Sequence, residues 1–330
     1  MTQSDEPQRG VFVPARVIPP PPTVSAAAQA ALSPPPEPAG RPASPPPEDK
    51  AAWRAQIAAT DGWLTEMLGA AAQAFPTEIA THQLAKAPLY ELTPKSFTAA
   101  NQDRAILYVH GGGFTVGGGM VGAYMAMPLC GGTGLRTFVV DYRMPPDHPF
   151  PAGLEDVVDA YRFLLERYRP DAIAVHGASA GGGLGGAFLL KARDLGLPLP
   201  AACVLATPEV DLTESGDTFE TNALIDVVLK GRLTDSIALY ANGHDLKDPY
   251  LSPIFGDFTR GFPPTLLTSG TRDLFLSNTV ILHRALLRAG VEAELHVWEA
   301  MPHGGFMGAP EDQEVLAEQV RFIKARLGAA

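Results

Sequence analysis

The sequence predicts an α/β fold in which a mostly parallel central sheet is flanked by helices on both faces. From about Pro88 onward, short apolar runs rich in β-branched residues alternate with stretches of helical periodicity. Such alternation is typical of parallel strands joined by covering helices. Hydrophobic residues make up 46% of the 330-residue chain, which is enough for a sizeable core.

The apolar runs define six predicted strands, at residues 105–110, 137–143, 173–176, 201–206, 265–269 and 293–298. Two helical faces are marked by Leu154, Val157, Tyr161 and Leu164, and by Leu316, Val320, Ile323 and Leu327. Because active sites in such sheets lie at the carboxyl ends of the strands, we expect the functional residues there.

The sequence divides into an N-terminal region, residues 1–75, and a main domain, residues 76–330. Proline runs in the first 50 residues favour extended backbone, either as a disordered leader or as an arm that wraps the body. A helix is predicted from Ala51 to Phe75. Residues 211–248 interrupt the alternation, and we expect this insertion to be helical from about Leu224 to Tyr240 and to form part of a cap over the sheet.

Composition restricts the classes of partner. The formal net charge of −11 and the isoelectric point of about 5.2 argue against nucleic acid and anionic membranes as partners. Cys130 and Cys203 are predicted to be buried free thiols in a reducing cytosol, rather than a disulfide or metal ligands. With neither a membrane-length apolar run nor a signal-peptide pattern, we expect a cytoplasmic protein.

The strongest chemical signal is a serine between small residues, Gly177-Ala178-Ser179-Ala180-Gly181, directly after a predicted strand. A serine on a sharp strand-to-helix turn has a strained backbone, and small neighbours two positions away avoid a clash. The turn exposes the hydroxyl, and the helix N-terminus favours developing negative charge. Ser179 is therefore the candidate nucleophile.

The same segment has a second interpretation. Gly181, Gly183 and Gly186 satisfy the dinucleotide-binding pattern G-x-G-x-x-G, with Glu209 or Asp211 at a tolerable distance for a ribose contact. The predicted strand before it is not the first of the sheet, where that fingerprint usually falls. The glycines fit better as the close-packed start of the helix after the nucleophile.

A glycine motif, His110-Gly111-Gly112-Gly113-Phe114, follows the first of the six predicted strands. Three glycines free the backbone to turn its N–H groups into a pocket, where they can stabilise an oxyanion. A flexible loop without function is the simpler alternative. A phosphate loop is disfavoured because no Gly-Lys-Ser/Thr follows.

A serine hydroxyl is a weak nucleophile until a base takes its proton. His303 is the best candidate because it lies on the loop after the last predicted strand. The other histidines lie within or at the end of strands (His176, His296), on a helix (His283), at the start of the glycine motif (His110) or in loops that follow no strand (His82, His148, His244).

The base needs a carboxylate to fix its tautomer. Asp273 comes just past the end of the predicted strand at 265–269, whereas Asp211, also after a strand, is the competing candidate. The order Ser179, Asp273, His303 along the chain is the order that hydrolases built on such a sheet use.

Taken together, these motifs make the chain resemble the bacterial hormone-sensitive-lipase-like esterases of the α/β-hydrolase superfamily. The resemblance covers roughly residues 75–330 and, less distinctly, the leader. It is carried by residues 110–114, 141–143 with 148–152, 177–182 and 302–304. Family members usually have aspartate or threonine at the position of Ala178, and Asp-Pro-Leu where this chain has Asp273-Leu274-Phe275.

The resemblance implies an α/β-hydrolase fold with a helical cap, a homodimer and no cofactor or metal. It implies the triad Ser179, Asp273 and His303, an oxyanion hole from the N–H groups of Gly112, Gly113 and Ala180, a substrate contact at Phe114 and a structural role for residues 141–143.

The function that we expect is a serine carboxylesterase acting on small, short-chain acyl esters through an acyl-enzyme. A lactone or amide hydrolase with the same triad is one alternative. A non-catalytic small-molecule receptor of this fold is another, but such a protein would normally have lost the nucleophile or the base.

Overall fold

The computed structural model describes residues 10–34 and 44–329 of the chain. Its centre is an eight-stranded sheet in the spatial order β1-β2-β4-β3-β5-β6-β7-β8. The strands are β1 (Thr77–Gln83), β2 (Pro88–Pro94), β3 (Ala105–Val109), β4 (Arg136–Val140), β5 (Ile173–Ala178), β6 (Ala202–Ala206), β7 (Thr265–Gly270) and β8 (Ala293–Trp298).

Strands β3 to β8 pair in parallel, and the six predicted strands are confirmed to within three residues at each end. The hairpin of β1 and β2, which pairs antiparallel and adds β2 to β4, was not predicted. Most of β1 is exposed, so it carries no apolar run that would mark it as a strand.

Helices cover both faces of the sheet. They are α1 (Ala26–Ala31), α2 (Lys50–Ala72), α3 (Met120–Thr133), α4 (Ala152–Leu165), α5 (Ala180–Asp194), α6 (Thr218–Thr221), α7 (Thr234–Ala241), α8 (Leu276–Arg288) and α9 (Pro310–Leu327). In β3, Ile106 faces the core under α3 and α9, whereas Leu107 faces the core under α4, α5 and α8. This alternation is the period-two pattern of a strand buried on both faces.

Part of the N-terminal segment packs against the body, whereas residues 10–19 are exposed. Val24, Ala28 and Leu32 are buried against Met301 and Phe306, on the loop that follows β8. Of the two interpretations of the leader, an arm that wraps the body therefore fits residues 24–32 better than a disordered segment. Residues 1–9 and 35–43, which belong to the same predicted arm, lie outside the described residues.

The predicted helix from Leu224 to Tyr240 is wrong over its first half. The structure forms turns there and begins α7 only at Thr234. The Asp226 carboxylate accepts hydrogen bonds from the N–H groups of Val228 and Leu229, which ties this stretch into a turn. Gly231 then adopts a φ of 155°, which a helix does not allow.

The structure also bears on the predictions about the two cysteines and about membrane-spanning segments. Cys130 and Cys203 are free and buried, as predicted. Within the described residues, the helices are each too short or too polar to cross a membrane.

Candidate active site

Ser179 sits at the turn between β5 and α5 with φ 54° and ψ −127°, a conformation that L-residues rarely adopt. Its N–H donates to the carbonyl of Ala206 at 2.9 Å, which ties the turn to β6. A Cβ atom on Gly181 would lie 2.2 Å from the carbonyl oxygen of Val109 and 2.3 Å from that of His110. Only glycine therefore lets α5 start this close to β3, which explains the small residues around the serine.

The structure brings Ser179, His303 and Asp273 together from three separate loops. His303 Nε2 lies 2.9 Å from Ser179 Oγ, and His303 Nδ1 lies 3.0 Å from Asp273 Oδ1. A carboxylate only accepts hydrogen bonds, so Nδ1 carries the proton and Nε2 is free to accept one from the serine. The order Ser–His–Asp can therefore activate a hydroxyl for nucleophilic attack.

Asp273 is fully buried, and its carboxylate is held from both sides. Oδ2 accepts the hydroxyl of Ser269 at 2.6 Å, and Oδ1 accepts the N–H of Phe275 at 2.9 Å. The competing candidate, Asp211, accepts hydrogen bonds from Thr213 and from Ser215 in its own loop. Of the two carboxylates, the structure places Asp273 against the histidine.

The glycine motif lies beside the serine. Gly112 has a φ of 125°, and a Cβ atom there would come within 2.0 Å of the carbonyl oxygen of Val116. Gly112 and Gly113 line the same cavity as Ser179. Ala180 is the first residue of α5, where N–H groups lack intrahelical acceptors. These positions suit donors to an oxyanion formed at the serine.

Contacts of His110 and Tyr142 hold the loop of the glycine motif in place. His110 Nδ1 lies 2.8 Å from the carbonyl oxygen of Gly111, and the ring of Tyr142 stacks on His110 at 4.1 Å. The Tyr142 hydroxyl donates to the carbonyl of His110 at 2.9 Å, and Arg143 is paired with the buried Asp156. The contacts support the structural role expected for residues 141–143.

Phe114 is placed elsewhere than the sequence analysis expected. Its side chain is 1% exposed and stacks on Tyr240 of α7 at 4.1 Å, and it is not part of the cavity wall. Its φ of 61° turns the chain so that the ring points into the core. Phe114 therefore anchors the glycine motif to the insertion, and its position does not support a direct substrate contact.

A cavity of about 650 Å³ adjoins the serine and the histidine. Trp53, Leu64 and Leu68 of α2 form one wall, and Leu229 and Leu233 of the insertion form another. Two distant stretches of sequence, α2 and the insertion, thus line this cavity together. A mostly apolar cavity with a few polar groups at its base is typical of a site for a small organic ligand.

The glycines after the serine have a packing explanation. A Cβ atom on Gly183 would lie 2.0 Å from the carbonyl oxygen of Glu209. Glu209 and Asp211 are 1% and 3% exposed, so neither carboxylate is presented to a ligand as the dinucleotide interpretation requires. The predicted close-packed start of the helix fits this arrangement.

Glu209 is a buried carboxyl behind the nucleophile. Among the described residues, neither of its carboxyl oxygens has a hydrogen-bond partner. Burial, together with the nearby charge of Glu214, raises the pKa of Glu209 to about 8. From the sequence, Glu209 is a candidate only for a ribose contact, because no pattern in a single sequence marks a carboxyl that the fold buries.

Asp226 contacts the backbone of the triad and was not predicted from the sequence. It is 1% exposed and lies in the insertion, yet its carboxylate accepts hydrogen bonds from the N–H groups of His303 and Leu274. It falls inside the stretch predicted as a helix, where an aspartate gives no signal. Among the described residues, no group of three or more His, Cys, Asp and Glu side chains is placed to hold a metal ion.

Comparison with protein families and with curated proteins gives consistent matches. The model of a family with the α/β-hydrolase fold matches residues 106–307. An acetyl-hydrolase of Streptomyces hygroscopicus is 37% identical over 207 residues, which are 62% of this chain and 69% of that protein. The esterase LipU of Mycobacterium tuberculosis is 31% identical over 228 residues, 67% of this chain and 75% of that protein.

Solved structures extend the similarity to nearly the whole chain. The crystal structure of the esterase E25 superposes with a TM-score of 0.86 at 33% identity and covers 97% of this chain and 99% of its own. That of an esterase from the bacterial hormone-sensitive lipase family has a TM-score of 0.74 at 32% identity, with 92% and 99% covered.

Proposed function

Because the chain belongs to the α/β-hydrolase family, we propose that Ser179, His303 and Asp273 hydrolyse short-chain acyl esters. Within that family, the chain belongs with the bacterial hormone-sensitive-lipase-like esterases. The protein is a carboxylic ester hydrolase, as its relatives are named. The observation that carries the residue assignment is the pair of contacts from His303, 2.9 Å to Ser179 Oγ and 3.0 Å to Asp273.

In the first half of the reaction, Ser179 Oγ attacks the ester carbonyl carbon while His303 Nε2 takes the hydroxyl proton. The carbonyl oxygen becomes an oxyanion and accepts hydrogen bonds from the N–H groups of Gly112, Gly113 and Ala180. Each donor of this kind is typically worth about 3 kcal/mol of the barrier. The imidazolium then gives its proton to the leaving alcohol, and the acyl group stays on the serine.

In the second half, a water molecule attacks the acyl carbonyl carbon. His303 Nε2 takes a proton from the water and returns it to Ser179 Oγ as the acid departs. Asp273 stays ionised throughout and stabilises the imidazolium that forms in each half. The chemistry needs only the side chains and backbone N–H groups already named.

The preference for short acyl chains follows from the cap. The walls formed by α2 and the insertion limit the cavity to about 650 Å³. Each methylene that fits gains about 0.8 kcal/mol of transfer free energy, and carbons that do not fit stay in water or collide with the wall. We therefore expect an optimum between about two and eight acyl carbons, the range in which added methylenes still fit.

The experiment is a series of p-nitrophenyl esters of increasing acyl length, compared by kcat/KM. The proposal expects a maximum among the short esters and a steep fall beyond it. Rapid hydrolysis of emulsified long-chain triglyceride, or hydrolysis of lactones or amides but not of simple esters, would contradict the substrate assignment.

Three expectations about the protein's surroundings stay predictions. A homodimer is checked by light scattering coupled to size-exclusion chromatography, and a cytoplasmic location by fractionation of the source cells. The lack of affinity for nucleic acid, expected from the net charge of −11, is checked by gel shift.

A further inference from the structure

The insertion reaches the triad through polar side chains spaced four residues apart. Thr218 Oγ1 donates to the carbonyl of Leu274 at 2.7 Å, and Asn222 Nδ2 donates to the carbonyl of Asp273 at 2.9 Å. Asp226 Oδ2 accepts the N–H of Leu274 at 2.8 Å. All three side chains are buried, so the insertion holds the backbone of the catalytic acid and of the residue after it.

Asp226 differs from the other two because it also touches the loop of the base. The N–H of His303 points between its carboxylate oxygens, 3.4 Å from Oδ1 and 3.3 Å from Oδ2. One carboxylate therefore joins the loop after β7, the loop after β8 and the insertion. It is one of several contacts between the loops of Asp273 and His303, beside the direct hydrogen bonds from Arg272 N–H to the Met301 carbonyl and from Ala300 N–H to Thr271 Oγ1.

The partners of Asp226 show its charge state. Val228, Leu229, Leu274 and His303 all present backbone N–H groups, which can only donate. A protonated carboxyl would set its own hydrogen against one of these donors, so the arrangement fits the carboxylate form. Burial raises the pKa of Asp226, whereas positive charge on His303 lowers it.

We propose that Asp226 is a positioning residue of the triad that fixes the base loop against the acid loop and whose negative charge stabilises the His303 imidazolium. The inference rests on the proposed function and deepens it. Asp273 orients the ring through Nδ1, and Asp226 holds the backbone of the same residue. The other groups packed on His303 are Ser179 and the ring of Phe275, whose centroid is 4.9 Å away and which carries no charge.

The test compares Asp226→Asn with two controls. Asp217→Asn removes the same charge from an exposed position of the insertion. Asn222→Ala removes a neutral contact to the acid loop and leaves the charge near His303 in place. Circular dichroism and the melting temperature of each variant report whether it folds.

We expect Asp226→Asn to lower kcat by about 10- to 100-fold with a small change in KM, because a shift of the base relative to the serine costs that much. Loss of the charge should also move the acid limb of the pH–rate profile to lower pH by about half a unit or more. Asn222→Ala should lower kcat without moving the limb, and Asp217→Asn should change neither.

Two further measurements keep the proposal open to contradiction. Asp226→Glu keeps the charge but displaces it, so kcat should fall while the acid limb stays in place. An unchanged kcat would overturn the proposal even if the asparagine variant does not fold.

The low-field proton resonance of His303 Nδ1, followed by NMR against pH, should titrate at lower pH in Asp226→Asn, and this measurement needs no turnover. An unmoved titration in a folded variant would refute the role of the charge, whereas a wild-type protein inactive on all esters would refute the proposed function instead.

Discussion

The loops at the carboxyl edge of the sheet and the cap that covers them are built by different means. Ser179, Asp273 and His303 are held by short hydrogen bonds and by backbone packed too closely for any side chain at Gly181. The cap closes the cavity with apolar side chains, and it leaves others in water, such as Leu224, which is 94% exposed.

This difference assigns chemistry and specificity to separate parts of the chain. Changes at the sheet edge disturb groups that have a single workable geometry, so their effects on rate should be large. Changes in the cap alter the size of an apolar cavity, so they should act through a few methylenes at a time. The buried polar contacts of Thr218, Asn222 and Asp226 join the two regions.

Replacing the nucleophile should give the largest effect. Ser179→Ala leaves nothing to form an acyl-enzyme, and we expect kcat to fall by about 10⁵- to 10⁶-fold. The control is Ser236→Ala, which removes a hydroxyl from the cavity wall that donates to the carbonyl of Leu233. Both variants should melt near the wild-type temperature. Near-normal ester turnover by Ser179→Ala would end the assignment.

The acid should come next. Asp273→Asn presents an amide N–H to Nδ1 of His303 and favours the wrong imidazole tautomer, an effect of about 10⁴ in kcat. Asp211→Asn changes a carboxylate whose partners are Thr213 and Ser215, and it should cost less than about 10-fold, as expected for a group outside the triad. If steady-state assays ranked the two variants in the reverse order, Asp211 would be the acid.

The core behind the nucleophile gives a prediction about stability. The pKa of Glu209 is raised from 4.5 to about 8, so between these values the folded protein holds a proton that the unfolded chain releases. Stability contributed by this site therefore falls as pH rises through that window. Glu209→Gln cannot ionise, and near pH 9 it should be more stable than wild type by roughly 2–4 kcal/mol.

Urea unfolding at pH 5 and pH 9 measures this difference. Glu78→Gln, on exposed β1, is the control and should leave the pH dependence unchanged. A Glu209→Gln protein with the wild-type pH dependence would show that the buried carboxyl is ionised throughout.

The cap should give the smallest effect. Leu64 lines the cavity, whereas its neighbour Trp63 is 58% exposed and lies outside it. Leu64→Ala should change kcat/KM by a few-fold, lowering it for short esters and moving the optimum to longer acyl chains, because each methylene of space is worth about 0.8 kcal/mol. Trp63→Ala should keep the wild-type profile. Equal profiles for all three proteins would remove α2 from the substrate site.

The sheet and the meeting of Ser179, Asp273 and His303 could be predicted because their signals are local. Strands β3 to β7 are almost entirely buried, β8 is mostly half-buried, and all six read as apolar runs. Ser179 follows directly on β5, and His303 lies on the loop after β8. Parallel strands place their carboxyl ends at one edge, so residues far apart in the chain could be expected to meet.

The unpredicted features depend on contacts that a single sequence does not display. The exposed β1 has no apolar pattern, and the turn at residues 226–229 replaces a helix because the Asp226 side chain captures local N–H groups. Phe114 ends the glycine motif and was expected to contact the substrate, but its ring stacks on that of Tyr240. The position of the Phe114 ring is decided by tertiary packing, whereas the turn is decided by a local side-chain-to-backbone contact that competes with helix propensity.

The most direct test of the account is covalent capture of the nucleophile with a fluorophosphonate, which reacts with an activated serine as an acyl donor would. Intact mass and peptide mapping should find one adduct, on Ser179, formed in step with the loss of ester hydrolysis. Ser179→Ala should remain unlabelled, whereas Ser236→Ala, which keeps the nucleophile, should still be labelled on Ser179. Labelling of a different residue, or full hydrolysis by a protein already labelled at Ser179, would contradict the account.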